Sequence, residues 1–234
     1  MHHRIYAPQL PDEGAIDISG DEFHHAVRVA RVREGEEVEL FDGRGSAAVG
    51  RVQAIGRDSL TVRVERRIDS REATLDLTVA MSIIQLEKFE LVLQKVTELG
   101  ARAIIPVVTD RVELRPERYR GKRERWEKII FEAVKQSGRS RVPQLDDPMP
   151  FDEVVKGDGL RIVFDADQPP TPLADHMERV ILLIGPEGGW SERELGLAKD
   201  AGCAFARLGS RRLRAETAAI VAVSTIAARS GELD

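Results

Sequence analysis

The chain of 234 residues is poor in the features that mark secreted, metal-dependent or membrane-bound proteins. Its single cysteine, Cys203, excludes an intramolecular disulfide and fits a reducing cytoplasm. The histidines, His2, His3, His24, His25 and His176, lack metal-site spacing and stand apart from any cysteine or carboxylate cluster, so no metal is expected. No apolar run approaches the eighteen or so residues of a membrane span, and the amino terminus has no signal-peptide pattern. A cytoplasmic protein without a membrane partner is the expectation. Neither G-x-G-x-x-G after a strand nor G-x-x-x-x-G-K-[ST] occurs, which argues against a dinucleotide or P-loop nucleotide as ligand. There is no internal repeat and no low-complexity segment.

The chain falls into two parts, with domains expected over residues 1–70 and 73–234. The first has short alternating runs, Ala15 to Ile18, Glu37 to Phe41, Ala47 to Ala54 and Ser59 to Val64, separated by turn signals such as Asp42-Gly43-Arg44-Gly45. This predicts a small β-barrel interrupted by one helix near Asp21 to Val32. After a polar link at Asp69 to Ala73, strands and helices alternate as in an α/β domain. Strands are expected at Leu75 to Ser82, Ala103 to Val108, Leu160 to Asp165 and Val180 to Ile184, and helices at Leu86 to Leu99, Lys122 to Ser137 and Phe151 to Val155.

The richest stretch is Ile184-Gly185-Pro186-Glu187-Gly188-Gly189-Trp190, followed by Leu208-Gly209-Ser210-Arg211-Arg212-Leu213-Arg214-Ala215-Glu216-Thr217-Ala218. Each segment leaves an apolar strand-like run and opens into a helix, where open α/β sheets place their ligands. Gly188 and Gly189 tolerate positive φ and present no side chain to block a ligand. Ser191 with Glu194 reads as a capping box, starting a helix that ends near Ala201 and Gly202. Cys203 to Leu208 is the next predicted strand, and Thr217 to Arg229 an apolar, deeply packed final helix. One glycine pair is explained by an ordinary turn; two such loops on adjacent strands point to a small-molecule cofactor.

The formal net charge of −5 gives no overall attraction to nucleic acid, but the distribution is uneven. Between Arg111 and Arg141 stand eleven Lys or Arg against five Asp or Glu, and Arg207, Arg211, Arg212 and Arg214 follow beside the second loop. A solvated helix face accounts for Arg115 to Lys128. It does not account for arginines in a glycine loop.

Gly185-Pro186-Glu187-Gly188-Gly189, Leu208-Gly209-x-Arg211-x-Leu213-Arg214-x-Glu216-Thr217-Ala218 and Lys95-x-Thr97-Glu98-Leu99-Gly100 resemble the signature segments of the bacterial 16S rRNA uridine-N3 methyltransferase family of the SPOUT superfamily. Arg4-Ile5-Tyr6, His24 through Arg33-Glu34-Gly35 and Phe41-Asp42-Gly43 are similar to its PUA-like barrel. Trp126, Glu132-Ala133-x-x-Gln136-Ser137-x-Arg139 and Pro143 are similar to its middle segment. The chain departs from the family pattern at Arg212, usually apolar, and at Ser210, commonly Pro.

The resemblance implies a PUA-like β-barrel before an α/β, SPOUT-type parallel-sheet domain with a carboxyl-terminal trefoil knot. It implies a homodimer acting on 16S rRNA in the small ribosomal subunit or its precursor, with S-adenosyl-L-methionine as cofactor. Cofactor contacts are expected from Ile184, Gly185, Glu187, Gly188, Gly189, Leu208, Gly209, Leu213 and Thr217. Uracil N3 must lose a proton to become a nucleophile, so donor and acceptor must be aligned and charge on the uracil oxygens stabilised. Arg214 is the candidate for that charge stabilisation, with Glu216 its pairing partner or a base. N3 lies on the Watson–Crick edge, so the base must be unpaired or turned out. Arg4, Arg28, Arg31, Arg139, Arg211 and Arg212 are the candidate RNA contacts. Lys95 and Glu98 are equally a plain ion pair.

Two other classes make different demands. A non-catalytic RNA-binding protein would carry damaged glycine loops, whereas these are intact. An oxidoreductase on a doubly wound sheet would need a glycine fingerprint near its first strand.

Overall fold

The protein was analysed as a computed structural model in which residues 3–112, 116–175 and 177–233 are described; His2, Arg115 and His176 lie outside the described residues. The chain divides into two compact units. One consists of the residues through Glu72 together with Val134–Val142, the other of Ala73–Ala133 and Pro143 onward.

In the first unit, β1 (His3–Tyr6), β2 (Gly14–Ser19), β3 (Glu37–Phe41), β4 (Ala47–Ile55) and β5 (Ser59–Ile68) form one sheet in the order β1-β3-β4-β5-β2. The first pair is parallel and the others antiparallel. Alternation in β5 buries Leu60, Val62 and Val64 and exposes Arg63 and Glu65. Gly50 in β4 is required by packing, since a Cβ there would lie 2.7 Å from Val62 and 2.8 Å from the Arg63 carbonyl. The segment expected as one helix is α1 (Gly20–His24) followed by a π-helical turn over His25–Val29, and Arg31 then takes a φ of 57°. The reason is the core: Phe23, Ala26 and Val32 all enter one hydrophobic cluster. A regular helix would turn Val32 to the opposite side from Phe23.

Glu72 fastens the second chain segment of this unit. Its Oε2 accepts from Arg139 Nη2 at 2.7 Å, and its Oε1 accepts from the amides of Ser140 and Arg141 at 2.6 and 2.7 Å.

The second unit has a seven-stranded sheet built from β6 (Asp76–Ser82), β7 (Ala103–Val108), β8 (Gln144–Leu145), β9 (Met149–Pro150), β10 (Leu160–Phe164), β11 (Arg179–Ile184) and β12 (Ala204–Ala206). The order is β12-β10-β11-β6-β7-β8, with β9 also on β7, and every pairing is parallel. The helices are α2 (Leu86–Glu98), α3 (Pro116–Tyr119), α4 (Arg123–Ser137), whose residues from Val134 on belong to the first unit, α5 (Phe151–Val154), α6 (Glu192–Asp200) and α7 (Ala215–Arg229). β11 is buried from Val180 to Ile184, as a continuous apolar run requires when helices cover both faces. α2 buries Phe89, Val92, Leu93 and Val96, with Phe89 against Trp126 at a ring separation of 4.8 Å. Leu86 and Leu99, expected on the same face, are only half-buried at its ends.

Three expectations need correction. The glycine-bearing loops do not leave adjacent strands, because β10 lies between β11 and β12. β12 stops at Ala206, two residues early, at the sheet edge where the Asp165 amide donates to the Ala206 carbonyl. α7 begins at Ala215 rather than Thr217, so Arg214 is its N-cap, in extended conformation.

Candidate active site

The register levels the strand ends: Phe164 pairs with Ile184 and with Ala206, and Ile184 pairs with Met81. The loops after β10, β11 and β12 therefore leave the sheet at one height. They enclose a cavity of about 600 Å³, lined by Asp165–Gln168 of the first loop, Gly185–Trp190 of the second and Arg207, Leu208 and Arg211–Ala215 of the third. This is the carboxyl edge of a parallel sheet, the usual ligand position in such folds.

Glycines shape the second loop in different ways. The Pro186 carbonyl accepts from the Gly189 amide at 2.9 Å, and Gly189 takes a φ of 69° with open space where a Cβ would stand. Gly188 does not adopt positive φ; the turn needs that conformation at one residue only. At Gly185 a Cβ would meet the Trp190 indole at 3.0 Å, so the missing side chain makes room for that tryptophan. Trp190 in turn donates from Nε1 to the Phe164 carbonyl at 3.0 Å and stacks obliquely on Phe151, tying the β11 loop to β10.

The same loop is braced from the end of β7. Arg111 donates to the Gly188 carbonyl at 2.7 Å. Glu194, fully buried, accepts from the Ser191 amide at 2.8 Å within the expected capping box and from the Asp110 amide at 2.9 Å. Asp110 takes hydrogen bonds from Arg193 Nη2 at 2.7 Å and from the Ser191 hydroxyl at 2.5 Å. Those bonds, Arg193 first, hold its carboxyl below the ordinary aspartate range and raise the Arg193 guanidinium above its own. Arg193 also reaches both oxygens of Asp152.

Of the sequence-predicted residues, Ile184, Gly185, Glu187, Gly188, Gly189, Leu208, Leu213, Arg211, Arg212 and Arg214 line the cavity, whereas Gly209, Glu216 and Thr217 do not. Gly209 has a φ of 77° and shapes the third loop from outside the lining. Glu216 and Thr217 fall in the first turn of α7 because that helix starts early. Glu216 and Arg214 form no ion pair among the described residues; two positions apart at a helix start, they do not face one another. One Glu216 oxygen is instead buried without a hydrogen-bond partner. Arg212 pairs with Asp167 at 3.1 Å, joining the third loop to the first. Glu187 pairs with Lys88 at 3.2 Å, and Lys95 with Glu98 at 2.9 Å.

In the first unit the candidate arginines divide. Arg139 is 3% exposed and occupied by Glu72. Arg4 donates to the Val134 and Arg139 carbonyls at 3.2 and 2.9 Å, pairs with Glu39 and lies over Phe41. Both are building elements of the unit, so their assignment as phosphate contacts is corrected. Arg28 and Arg31 are exposed. Sequence reasoning missed Asp165–Gln168 and Arg111 at the cavity; the apolar run ending at Phe164 was the available signal for the former.

Fold and cavity together define an α/β protein with an accessory β unit and a ligand site formed by three loops of a parallel sheet. Residues 71–227 match the RNA methyltransferase domain family and residues 18–65 the RNA methyltransferase PUA domain family. A Mycobacterium tuberculosis protein named ribosomal RNA small subunit methyltransferase E is 32% identical, the match covering 98% of this chain and 93% of that protein. The Bacillus subtilis protein of that name is 30% identical, over 93% and 91% of the two chains. The crystal structure of a Neisseria gonorrhoeae ribosomal RNA small subunit methyltransferase E bound to S-adenosyl methionine superposes with a TM-score of 0.88 at 29% identity, covering 97% and 98% of the chains. The chain belongs to this RNA methyltransferase family. It is a methyltransferase with a PUA-like domain, and among its described residues no helix is long and apolar enough to cross a membrane.

Proposed function

We propose that the protein methylates N3 of a specific uridine in 16S rRNA of the small ribosomal subunit or its precursor, with S-adenosyl-L-methionine bound in the three-loop cavity. The observation that carries this reading is the cavity, where glycine-bearing backbone, apolar walls and exposed arginines meet at the carboxyl ends of β10, β11 and β12. The fit to that cofactor is good. Ile184, Leu208 and Leu213 supply apolar wall for a purine, and the open space beside Gly189 lets a ligand reach the backbone. When bound, the cofactor supplies an electrophilic methyl group on a cationic sulfur.

The chain's own residues do the rest. Arg214, exposed at the cavity on the N-cap of α7, is placed to hydrogen-bond a uracil oxygen as it gains charge. Arg211 and Arg212 offer phosphate contacts at the rim, and Arg28 and Arg31 do so on the PUA-like unit. Glu216 serves as a helix-start carboxylate two positions after Arg214, with a supporting role.

The reading includes a trefoil knot, a homodimer and work in the cytoplasm. The position of β11 between β6 and β10, and the packing of α7 on α2 and β11, support the knot. Half-exposed Val221 and the apolar sequence of α7 support a partner copy. The test is methyl transfer by purified protein to small-subunit particles from cells lacking it, with nuclease digestion and mass spectrometry of the product. N3-methyluridine in 16S rRNA is the expected product; methylation at another atom, or none, overturns the reading.

A further inference from the structure

A second cavity, of about 650 Å³, adjoins the first, and Glu187 lines both. It is lined at the carboxyl end of β6 and the start of α2 by Ile83 and Ile84, whose side chains are buried, and by half-buried Leu86, and its basic wall is Arg118 of α3, Lys122 of the link that follows and Arg125 of α4. The charges are not equivalent. Arg125 is committed to Glu90 through hydrogen bonds of 2.5 and 2.6 Å, and Glu187 to Lys88. Arg118 and Lys122 form no ion pair among the described residues. The cavity thus offers an apolar patch at Leu86, two cations without an ion pair among the described residues and, beside them, the Gln85 amide and the Glu87 carboxylate.

That combination suits a nucleotide, with an apolar surface for a base and cations for a phosphate. A target base turned out of its stack brings its chain neighbours with it, and the space they need lies beside the methyl-transfer site. We propose that this second cavity seats a nucleotide of the substrate RNA flanking the methylated one, its phosphate held by Arg118 and Lys122 and its base resting on Leu86. The inference rests on the reading above that RNA is the substrate and that the first cavity holds the cofactor.

The test is the double charge reversal Arg118→Glu with Lys122→Glu in the full chain, against the charge-preserving pair Arg118→Lys with Lys122→Arg. Filter binding of 16S rRNA without cofactor should show the dissociation constant raised about tenfold or more for the reversal, with a log–log salt slope shallower by roughly one or more. The charge-preserving pair should stay within about twofold of the unsubstituted protein, because phosphate attraction needs the charge more than the fork. Calorimetry should give an unchanged affinity for S-adenosylmethionine, and thermal melting an unchanged midpoint. Unchanged RNA affinity and salt slope in the reversal would overturn the proposal, as would an equal loss in the charge-preserving pair or a parallel loss of cofactor affinity. Failure of the underlying reading has a separate signature: unsubstituted protein that binds both ligands and transfers no methyl group to the RNA.

Discussion

The guanidinium of Arg111 and the carbonyl oxygen of Gly188 are joined by a hydrogen bond of 2.7 Å, through which the loop after β7 holds the backbone of the loop after β11. A ligand reading that backbone meets a surface whose shape is set by a neighbouring side chain. Arg111→Ala removes the brace. A hydrogen bond involving a charged group contributes about 1.5–3 kcal/mol, and the exposure of Arg111 puts this one at the low end. Calorimetry should show S-adenosylmethionine bound about tenfold more weakly, with partial recovery in Arg111→Lys. Unchanged affinity would mean that the turn keeps its shape unaided.

Gly185→Ala tests the other support of that loop. The added methyl sits 3.0 Å from the Trp190 ring, which is fixed by Phe164 and Phe151 and has little room to yield. Overpacking of this kind costs about 1–3 kcal/mol. A lower melting midpoint and altered tryptophan fluorescence are expected. A variant as stable as the parent would show that Trp190 can shift without loss.

Arg214→Ala and Arg212→Ala should separate. Loss of one preorganised donor to a developing oxyanion typically slows a reaction by about 10² to 10³, so the first variant should lower the single-turnover methylation rate at saturating RNA by that order. Arg212, paired with Asp167 at the exposed rim, should chiefly affect the RNA dissociation constant. Wild-type single-turnover transfer by Arg214→Ala would remove it from the chemistry.

Asp110 links the site to pH. Its carboxyl is depressed by Arg193 and then Ser191, so its stabilising effect is complete above the unfolded value, about pH 4, and is lost as pH falls through the lower folded value. The melting-midpoint difference between the protein and Asp110→Asn should be largest near neutrality, shrink below about pH 4 and vanish in stronger acid. A difference that persists undiminished to the acid end would assign the effect to shape rather than charge.

The cavity was legible in sequence where it depends on local chemistry. Gly189, Gly209 and the capping box of Ser191 and Glu194 announce their turns because backbone conformation is decided by near neighbours. The Asp165–Gln168 loop was not legible as a wall, since that follows from β10 lying between β11 and β12, and periodicity carries no strand order. Arg4 and Arg139 misled for the complementary reason. An arginine beside polar residues reads as exposed until distant partners, here Glu39 and Glu72, are folded against it. Gly185 was marked for a ligand and lines the cavity, but that its bare backbone also makes room for Trp190 could be seen only in the folded chain.

The two-piece construction of the first unit bears on how the chain can be made and cut. Translation delivers the strands of its sheet early, but Val134–Val142 emerges only after much of the other unit has been synthesised. Until then Glu72 lacks Arg139 and the amides that occupy both its oxygens. A fragment ending at residue 72 would strand that carboxylate, along with the guanidinium of Arg4, which needs the carbonyls of Val134 and Arg139. The accessory unit is therefore not a detachable cassette. Grafting it elsewhere requires carrying the later segment on a linker.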